Sequence, residues 1–300
     1  MQATGPFSVV PSDFTSQGAR CRGELILPTG VERPPVVILA HGFGAERCFG
    51  LSAYAQRFAE RGLATYLFDY RCFGDSDGEP RNYVDPRRHL QDWRAAIAHV
   101  RSLPEVDGGR VALWGTSYSG GHVIVAAAAD PQVAAIVAQV PFVDSLTTMV
   151  KLGAKHILKA SSHALWDLLR ATSRQPPHYV KIVGRPDEFA EMNTPEAWPG
   201  YLALVPEGCS WQNRCPARAG LTLALYRPIA AAGRVRCPAL ILYGEKDSLI
   251  SPRAVERTAA RMPQSTLVRY PIGHFDIYTG QAFEEGVAVQ TEFLVENLRP

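Results

Sequence analysis

Apolar positions along the chain fall into two rhythms. Residues 35–40 (Pro-Val-Val-Ile-Leu-Ala), 63–68 and 110–114 are short, largely unbroken apolar runs rich in β-branched residues. Such runs predict strands buried on both faces, as in a parallel sheet covered by helices. Between them the period becomes helical. Leu51, Tyr54, Ala55 and Phe58 share one face of a helix over residues 51–61, and Leu90, Trp93, Ile97 and Val100 stripe a second. Asp85-Pro86 has the form of an N-cap followed by proline in the first turn of that second helix. Residues 118–129 are Ala-rich, which suits a helix lying close on a sheet, and residues 133–140 return to strand. Near the start, residues 7–14 and 21–27 predict a hairpin at one sheet edge.

From about residue 142 to residue 236 this alternation stops, and Pro, Trp and Gly become frequent. It resumes with a strand at 239–243, a helix at 252–262, a strand at 266–270 and a helix near 281–298. The pattern predicts one α/β core, residues 1–141 and 237–300, with residues 142–236 inserted as a mostly helical cap between two late strands. The chain shows no internal repeat and no low-complexity tract.

Composition narrows the function classes. The chain has 300 residues, 46% of them hydrophobic and 20% charged, a balance that suits one large globular unit. Its net charge is +2, from 31 basic and 29 acidic residues, with no run of five like charges. That excludes the basic stripe on which nucleic-acid binding depends. No segment reaches the ~20 apolar residues of a membrane span, and residues 1–22 lack the apolar stretch of a signal peptide. A cytoplasmic protein with no nucleic-acid or membrane partner is expected. Six cysteines stand at 21, 48, 72, 209, 215 and 237 with no CxxC pair. Cys209 and Cys215 could bridge across a loop, but in a reducing compartment both read as thiols. With no HExxH, no clustered carboxylate–histidine set and no P-loop, neither metal nor cofactor is expected.

Four short segments carry chemistry. The run Trp114-Gly-Thr-Ser-Tyr-Ser-Gly-Gly121 joins a buried strand to an Ala-rich helix through a turn that holds Ser117. A nucleophile elbow needs this context, with small residues two before and two after the serine. Gly115 meets the first demand, and Ser119 stands where glycine is usual. His41-Gly-Phe-Gly44 follows the strand at 35–40, where a backbone N–H from Phe43 could join that of Tyr118 in an oxyanion hole. Gly244-Glu-Lys-Asp247 and Gly273-His-Phe-Asp276 follow the two late strands, at the carboxyl edge where open α/β sheets bind ligands. The chain order Ser117, Asp247, His274 is that of α/β-hydrolases. Asp276, two residues past His274, is expected to be a local hydrogen-bond partner, with the role of orienting acid in place of Asp247 as its alternative. Asp69 and Asp75 are expected to brace theirs, and His89, His99 and His122 to be structural.

These segments, with Asp69-Tyr-Arg-Cys-Phe-Gly-Asp-Ser-Asp77, make the chain similar to the α/β-hydrolase superfamily over nearly its whole length. Within it, the chain resembles the X-Pro dipeptidyl-peptidase-like or dienelactone-hydrolase-like branch. That resemblance implies an eight-stranded, mostly parallel sheet flanked by helices, with a helical cap inserted after the sixth strand. It does not fix the substrate: true X-Pro dipeptidyl peptidases carry extra domains, and dienelactone hydrolases use cysteine where this elbow has serine.

The expected chemistry is acyl transfer to water through an acyl-serine, with His274 as base and Asp247 orienting it. A carboxylic ester is the default substrate. The same constellation can serve a thioesterase, an amidase or peptidase, a C–C hydrolase or an acyltransferase, and a non-catalytic hydrolase-like binding protein is the alternative outside enzymes. The partner expected is a small-molecule acyl substrate, with homo-oligomerisation open. His41, Phe142, Trp166 and Trp198 are the candidate substrate contacts, although most aromatic residues of the insertion, Trp211 and Tyr201 among them, are expected to form its own core.

Overall fold

The computed structural model of the protein describes residues 5–299. Residues 1–4 and 300, the ends of the expected core segments, lie outside the described residues. Eight strands form the central sheet: β1 Phe7–Pro11, β2 Gly23–Pro28, β3 Pro35–Ala40, β4 Ala64–Phe68, β5 Asp107–Thr116, β6 Ala135–Gln139, β7 Ala239–Gly244 and β8 Ser265–Tyr270. Their spatial order is β1-β2-β4-β3-β5-β6-β7-β8. β2 pairs antiparallel with both β1 and β4, and every pairing from β4 to β8 is parallel. The edge hairpin is shorter than its sequence signal, because Phe14–Ser16 and Ala19–Cys21 leave the sheet as a separate two-stranded ribbon.

The unbroken apolar runs are explained by helices on both faces. Along β3, Val36, Ile38 and Ala40 enter one core cluster while Val37 and Leu39 enter the other, as the two-residue period of a strand requires. Helices α1 (Leu51–Ala59) and α8 (Gly280–Asn297) cover one face, and α2 (Pro86–Ser102), α3 (Tyr118–Ala129) and α7 (Pro252–Ala259) the other. Asp85 caps α2 as its sequence predicts: its carboxylate accepts the N–H groups of Arg87 and Arg88, and Pro86 occupies the first turn.

The stretch between β6 and β7 lies over the carboxyl edge of the sheet. It opens with α4 (Ser145–Thr172), 28 residues interrupted at Gly153, whose φ of 77° and ψ of 159° break the helix into two. Short helices α5 (Ala197–Leu202) and α6 (Ala219–Leu223) follow. The stretch also holds a small three-stranded sheet of Tyr179–Val183, Ala190–Met192 and Cys215–Pro216. All six cysteines are free thiols. Cys215 is buried in the small sheet, and the sulfur beside Cys209 is that of Cys48, at 3.3 Å. Among the described residues, no helix is long and apolar enough to cross a membrane.

Candidate active site

β5 ends at Thr116 and α3 begins at Tyr118, so Ser117 alone makes the turn. Its φ of 54° and ψ of −117° are costly for a residue with a side chain, by about 1–3 kcal/mol. The surroundings hold it there. Ser117 N–H donates to Gln139 O at 2.8 Å, and Ser117 O accepts Phe142 N–H at 2.8 Å, which pins the turn to the end of β6. A Cβ on Gly115 would stand 2.3 Å from Ser119 O, so only glycine fits there. The serine at 119 has its own reason: its Oγ meets Tyr70 Oη at 2.8 Å, and Tyr70 Oη also accepts Trp93 Nε1–H at 2.8 Å. The small residue the elbow needs is here one that satisfies a buried tyrosine.

The loops after β7 and β8 bring Asp247 and His274 to this serine. His274 Nε2 lies 3.1 Å from Ser117 Oγ, and His274 Nδ1 lies 2.6 Å from Asp247 Oδ2. A carboxylate only accepts, so the proton sits on Nδ1 and leaves the Nε2 lone pair facing the serine. The other carboxylate oxygen of Asp247 accepts the N–H groups of Leu249 at 2.8 Å and Ile250 at 2.7 Å. Both side chains are buried. Asp276 takes the local role: its Oδ2 accepts Gly273 N–H at 2.8 Å and it shares no hydrogen bond with the imidazole.

The loop after β3 closes the other side. A Cβ on Gly42 would come 3.0 Å from the Cβ of Ser117, so the backbone of this loop lies directly against the serine. Tyr118 opens α3 and has no carbonyl one turn back to receive its N–H. The Phe43 ring meets Tyr118 edge-on at 5.6 Å. Arg47 fixes the far end of the loop by giving its backbone N–H and its Nε–H to Asp69, at 2.8 and 2.9 Å. Its guanidinium also reaches Asp75 at 3.2 Å, so both aspartates brace this region. His41 is buried behind the loop with Nδ1 3.1 Å from Gly42 O, and burial pushes its imidazole below the ordinary value.

Side chains from the stretch between β6 and β7 hold all three loops. Glu196 accepts Ser248 N–H through Oε1 at 2.7 Å and His274 N–H through Oε2 at 2.9 Å. Lys151, on α4, gives Nζ–H groups to Asp247 O and Ile250 O at 3.1 and 2.6 Å, and burial pulls its amine below the ordinary value. Tyr201 donates to Phe43 O at 3.0 Å, and Trp211 donates to Gly44 O at 2.8 Å. Glu196 and Lys151 carry no sequence signal for these roles, because their partners are backbone groups far away in the chain.

Ser117 lies where two cavities meet. The smaller, about 30 Å³, is lined by His41, Phe43, Thr116, His274 and Tyr278 among others. The larger, about 120 Å³, runs past Tyr118 and Phe142 toward α4. Of the candidate substrate contacts, His41 and Phe142 therefore line cavities that reach the serine. Trp166 and Trp198 do not. Trp166 projects outward from α4 at 53% exposure, and Trp198 packs against the Arg185 guanidinium at 5.9 Å. Tyr201 and Trp211 pack on each other and on Phe49, between the insertion and the loop after β3.

His89, His99 and His122 make only local contacts away from the serine. His89 Nδ1 meets His122 Nε2 at 3.3 Å, and His122 Nδ1 meets Tyr226 Oη at 2.7 Å. Burial pushes His122 down to about 3 and His89 well below the ordinary value, so both are neutral at pH 7. His99 pairs with Ser12 at 2.9 Å. Folding also assembles a group that the sequence spacing did not show: potential metal-ligand atoms of Glu46, Cys48 and Cys209 lie within 4.8 Å of one another.

Comparison with known proteins gives a consistent family signal. Residues 32–277 match the family described as "Serine aminopeptidase, S33". The quorum-quenching protein AidA of Acinetobacter baumannii (strain MDR-ZJ06) is 38% identical over 289 residues, covering 96% of this chain and 95% of that protein. The structure of DcsB in complex with its substrate analogue matches with a TM-score of 0.85 at 26% identity, covering 97% of this chain and 99% of that one. The crystal structure of the α/β-hydrolase GrgF from Penicillium sp. sh18 matches with a TM-score of 0.81 at 26% identity, covering 98% and 99%.

Proposed function

The chain belongs to the α/β-hydrolase family described as "Serine aminopeptidase, S33", and from that premise we propose that it cleaves carboxylic esters through an acyl enzyme on Ser117, with His274 and Asp247 completing the triad. The observation that carries the assignment is the unbroken contact from Ser117 Oγ through the His274 ring to the Asp247 carboxylate, at 3.1 and 2.6 Å. A serine hydroxyl is a weak nucleophile at neutral pH. His274 Nε2 removes its proton as Oγ attacks the ester carbonyl, and Asp247 stabilises the imidazolium that forms.

The N–H groups of Phe43 and Tyr118 receive the developing oxyanion, each such donor being worth ~3 kcal/mol in related sites. The tetrahedral intermediate collapses, His274 returns the proton to the departing alcohol, and the acyl group stays on Oγ. Water then repeats the sequence with His274 as base, releasing the acid and restoring the serine. The cavity on the His274 side, at about 30 Å³, has room for such a water, which favours hydrolysis over transfer to a bulky acceptor. Residues 142–236 serve as a cap that shapes the substrate space, and a small-molecule acyl compound is the partner. The likeness to AidA and DcsB, a quorum-quenching protein and a protein solved with a substrate analogue, supports a small-molecule substrate.

The test is the intact mass after exposure to a fluorophosphonate probe. One adduct on the wild type and none on Ser117→Ala is expected. An unreactive wild type, or an adduct that persists on the variant, would overturn the assignment.

A further inference from the structure

The 120 Å³ cavity beside Ser117 adjoins another space on its α4 side. It shares Phe142, Thr148, Leu152, Glu191 and Leu223 with a second chamber of about 350 Å³ under α4. The second chamber is walled largely by apolar side chains, including Met149, Ile157, Ala160 and Ala164. His274 lines neither of these spaces; it faces the small cavity on the opposite side of the serine. The group that leaves must depart beside His274, because that imidazole protonates it. The acyl portion is therefore the part directed toward α4.

One ionisable side chain interrupts this apolar route. Glu191 stands on the strand Ala190–Met192 and lines both chambers, so it marks the neck between them. Burying a carboxylate against apolar walls is unfavourable unless a donor meets it. The cationic or titratable neighbours that line the same spaces are Lys151 and His156, both on α4, and Tyr118, whose buried hydroxyl has no hydrogen-bond partner among the described residues. Lys151 is committed to the carbonyls of Asp247 and Ile250. None of them forms an ion pair with Glu191 among the described residues. Burial pushes the Glu191 carboxyl up to about 7. Among the described residues no side chain hydrogen-bonds or ion-pairs with this carboxylate.

Resting on the ester-hydrolase reading above, we propose that the two chambers hold the substrate's acyl chain and that Glu191 binds a hydrogen-bond donor carried on it. The substrate class is then esters of medium-to-long acids that bear a hydroxyl or an amine or amide nitrogen part-way along the chain. An apolar channel selects the chain by area, and a single half-buried carboxylate selects the position of one polar group.

The experiment measures binding separately from turnover. The full chain carrying Ser117→Ala is titrated calorimetrically with methyl dodecanoate and with a positional series of methyl hydroxydodecanoates. One hydroxyl position is expected to bind about 10- to 100-fold tighter than the plain ester, the range for a hydrogen bond to a charged group. Glu191→Leu in the same background should erase that preference. Filling the second chamber with Ala164→Trp should weaken binding of every dodecanoate ester at least tenfold. Ala160→Phe fills the same chamber from the next turn of α4 and replaces it if that variant does not fold. Equal affinity across the hydroxyl series, or a preference that survives Glu191→Leu, overturns the role of Glu191; dodecanoate binding unaltered by the filled chamber overturns the route. Wild-type turnover of the same esters reports on the hydrolase reading alone, so its failure with binding intact is distinguishable.

Discussion

The backbone N–H of His274 donates to Glu196 Oε2 at 2.9 Å. The other oxygen of that carboxylate accepts Ser248 N–H at 2.7 Å, so one side chain ties the loop of His274 to the loop of Asp247. Glu196 immediately precedes α5, in the stretch that covers the sheet edge. The relative placement of His274 and Asp247 thus depends on a residue from the stretch between β6 and β7. Gly273 makes room for this bridge, since a Cβ there would come 2.2 Å from Glu196 Oε2.

Removing the bridge should lower kcat and leave KM nearly unchanged, because Glu196 positions the base without lining the route to Ser117. Each N–H bonded to a carboxylate is worth about 1.5–3 kcal/mol. Glu196→Ala is expected to lose about 10- to 100-fold in kcat. Glu196→Gln keeps one acceptor and should lie between the variant and wild type. Steady-state kinetics on a short-chain ester check this; a rise in KM at constant kcat would instead mark Glu196 as a substrate contact.

The two carboxylates near His274 should separate sharply. Asp247→Asn presents an amide to Nδ1 and favours the wrong imidazole tautomer, a change that costs about 10⁴ in kcat in comparable triads. Asp276→Asn weakens only the contact with Gly273 N–H and should cost less than about tenfold. Similar losses from both substitutions would show that the orienting acid has been misassigned.

How much of this was legible in the sequence follows from what each feature depends on. Strands β3 to β7 and the helices between them announce themselves because burial on two faces forces unbroken apolar runs and packing on one face forces a helical stripe, whereas the half-exposed edge strand β8 is marked only by its β-branched and aromatic residues. The elbow is legible because Gly115 and Ser117 answer local steric demands. Tyr179-Val-Lys-Ile-Val183 does alternate as a strand, with Lys181 exposed, but it pairs only with three- and two-residue partners that carry no signal of their own. The candidate contacts Trp166 and Trp198 failed for another reason. Aromatic content marks apolar surface but not direction, and the side of α4 that faces the cavity is set by Gly153 and by the packing of α6. Glu191, Glu196 and Lys151 act at long range, and a lone charged residue looks the same at the surface as under a cap.

The elbow's two small positions should respond differently. Gly115→Ala forces a methyl against the Ser119 carbonyl carbon and oxygen, at 2.6 and 2.3 Å, where backbone must shift. Overpacking of this kind costs about 1–3 kcal/mol, or roughly 2–10 °C in Tm, and should displace Ser117 enough to abolish labelling by a fluorophosphonate. Ser119→Gly relieves space and removes only the partner of Tyr70, so about 1 kcal/mol of stability and modest activity should be lost. Thermal melts with probe labelling distinguish the two.

The raised carboxyl of Glu191 makes a prediction about stability. Its folded-state value of about 7 lies above the ordinary glutamate value of 4.5, so between these limits the folded protein binds the proton more tightly than the unfolded chain. Stability from this group is therefore present below pH 4.5 and is lost as pH rises toward 7. His156 acts in the opposite sense, because burial lowers its imidazole and folding then favours the neutral form as pH rises. Lys151 has its ordinary value near 10.5, lowered by burial, and contributes a further pH dependence of its own. Comparing wild type with Glu191→Gln cancels the background from both neighbours. The variant's Tm relative to wild type should climb by about 5–10 °C between pH 5 and pH 8, as expected for ~2–3 kcal/mol in a chain of this size. A constant difference across that range would mean that water reaches the carboxylate freely, and the neck between the two chambers would then have no reason to select a polar group.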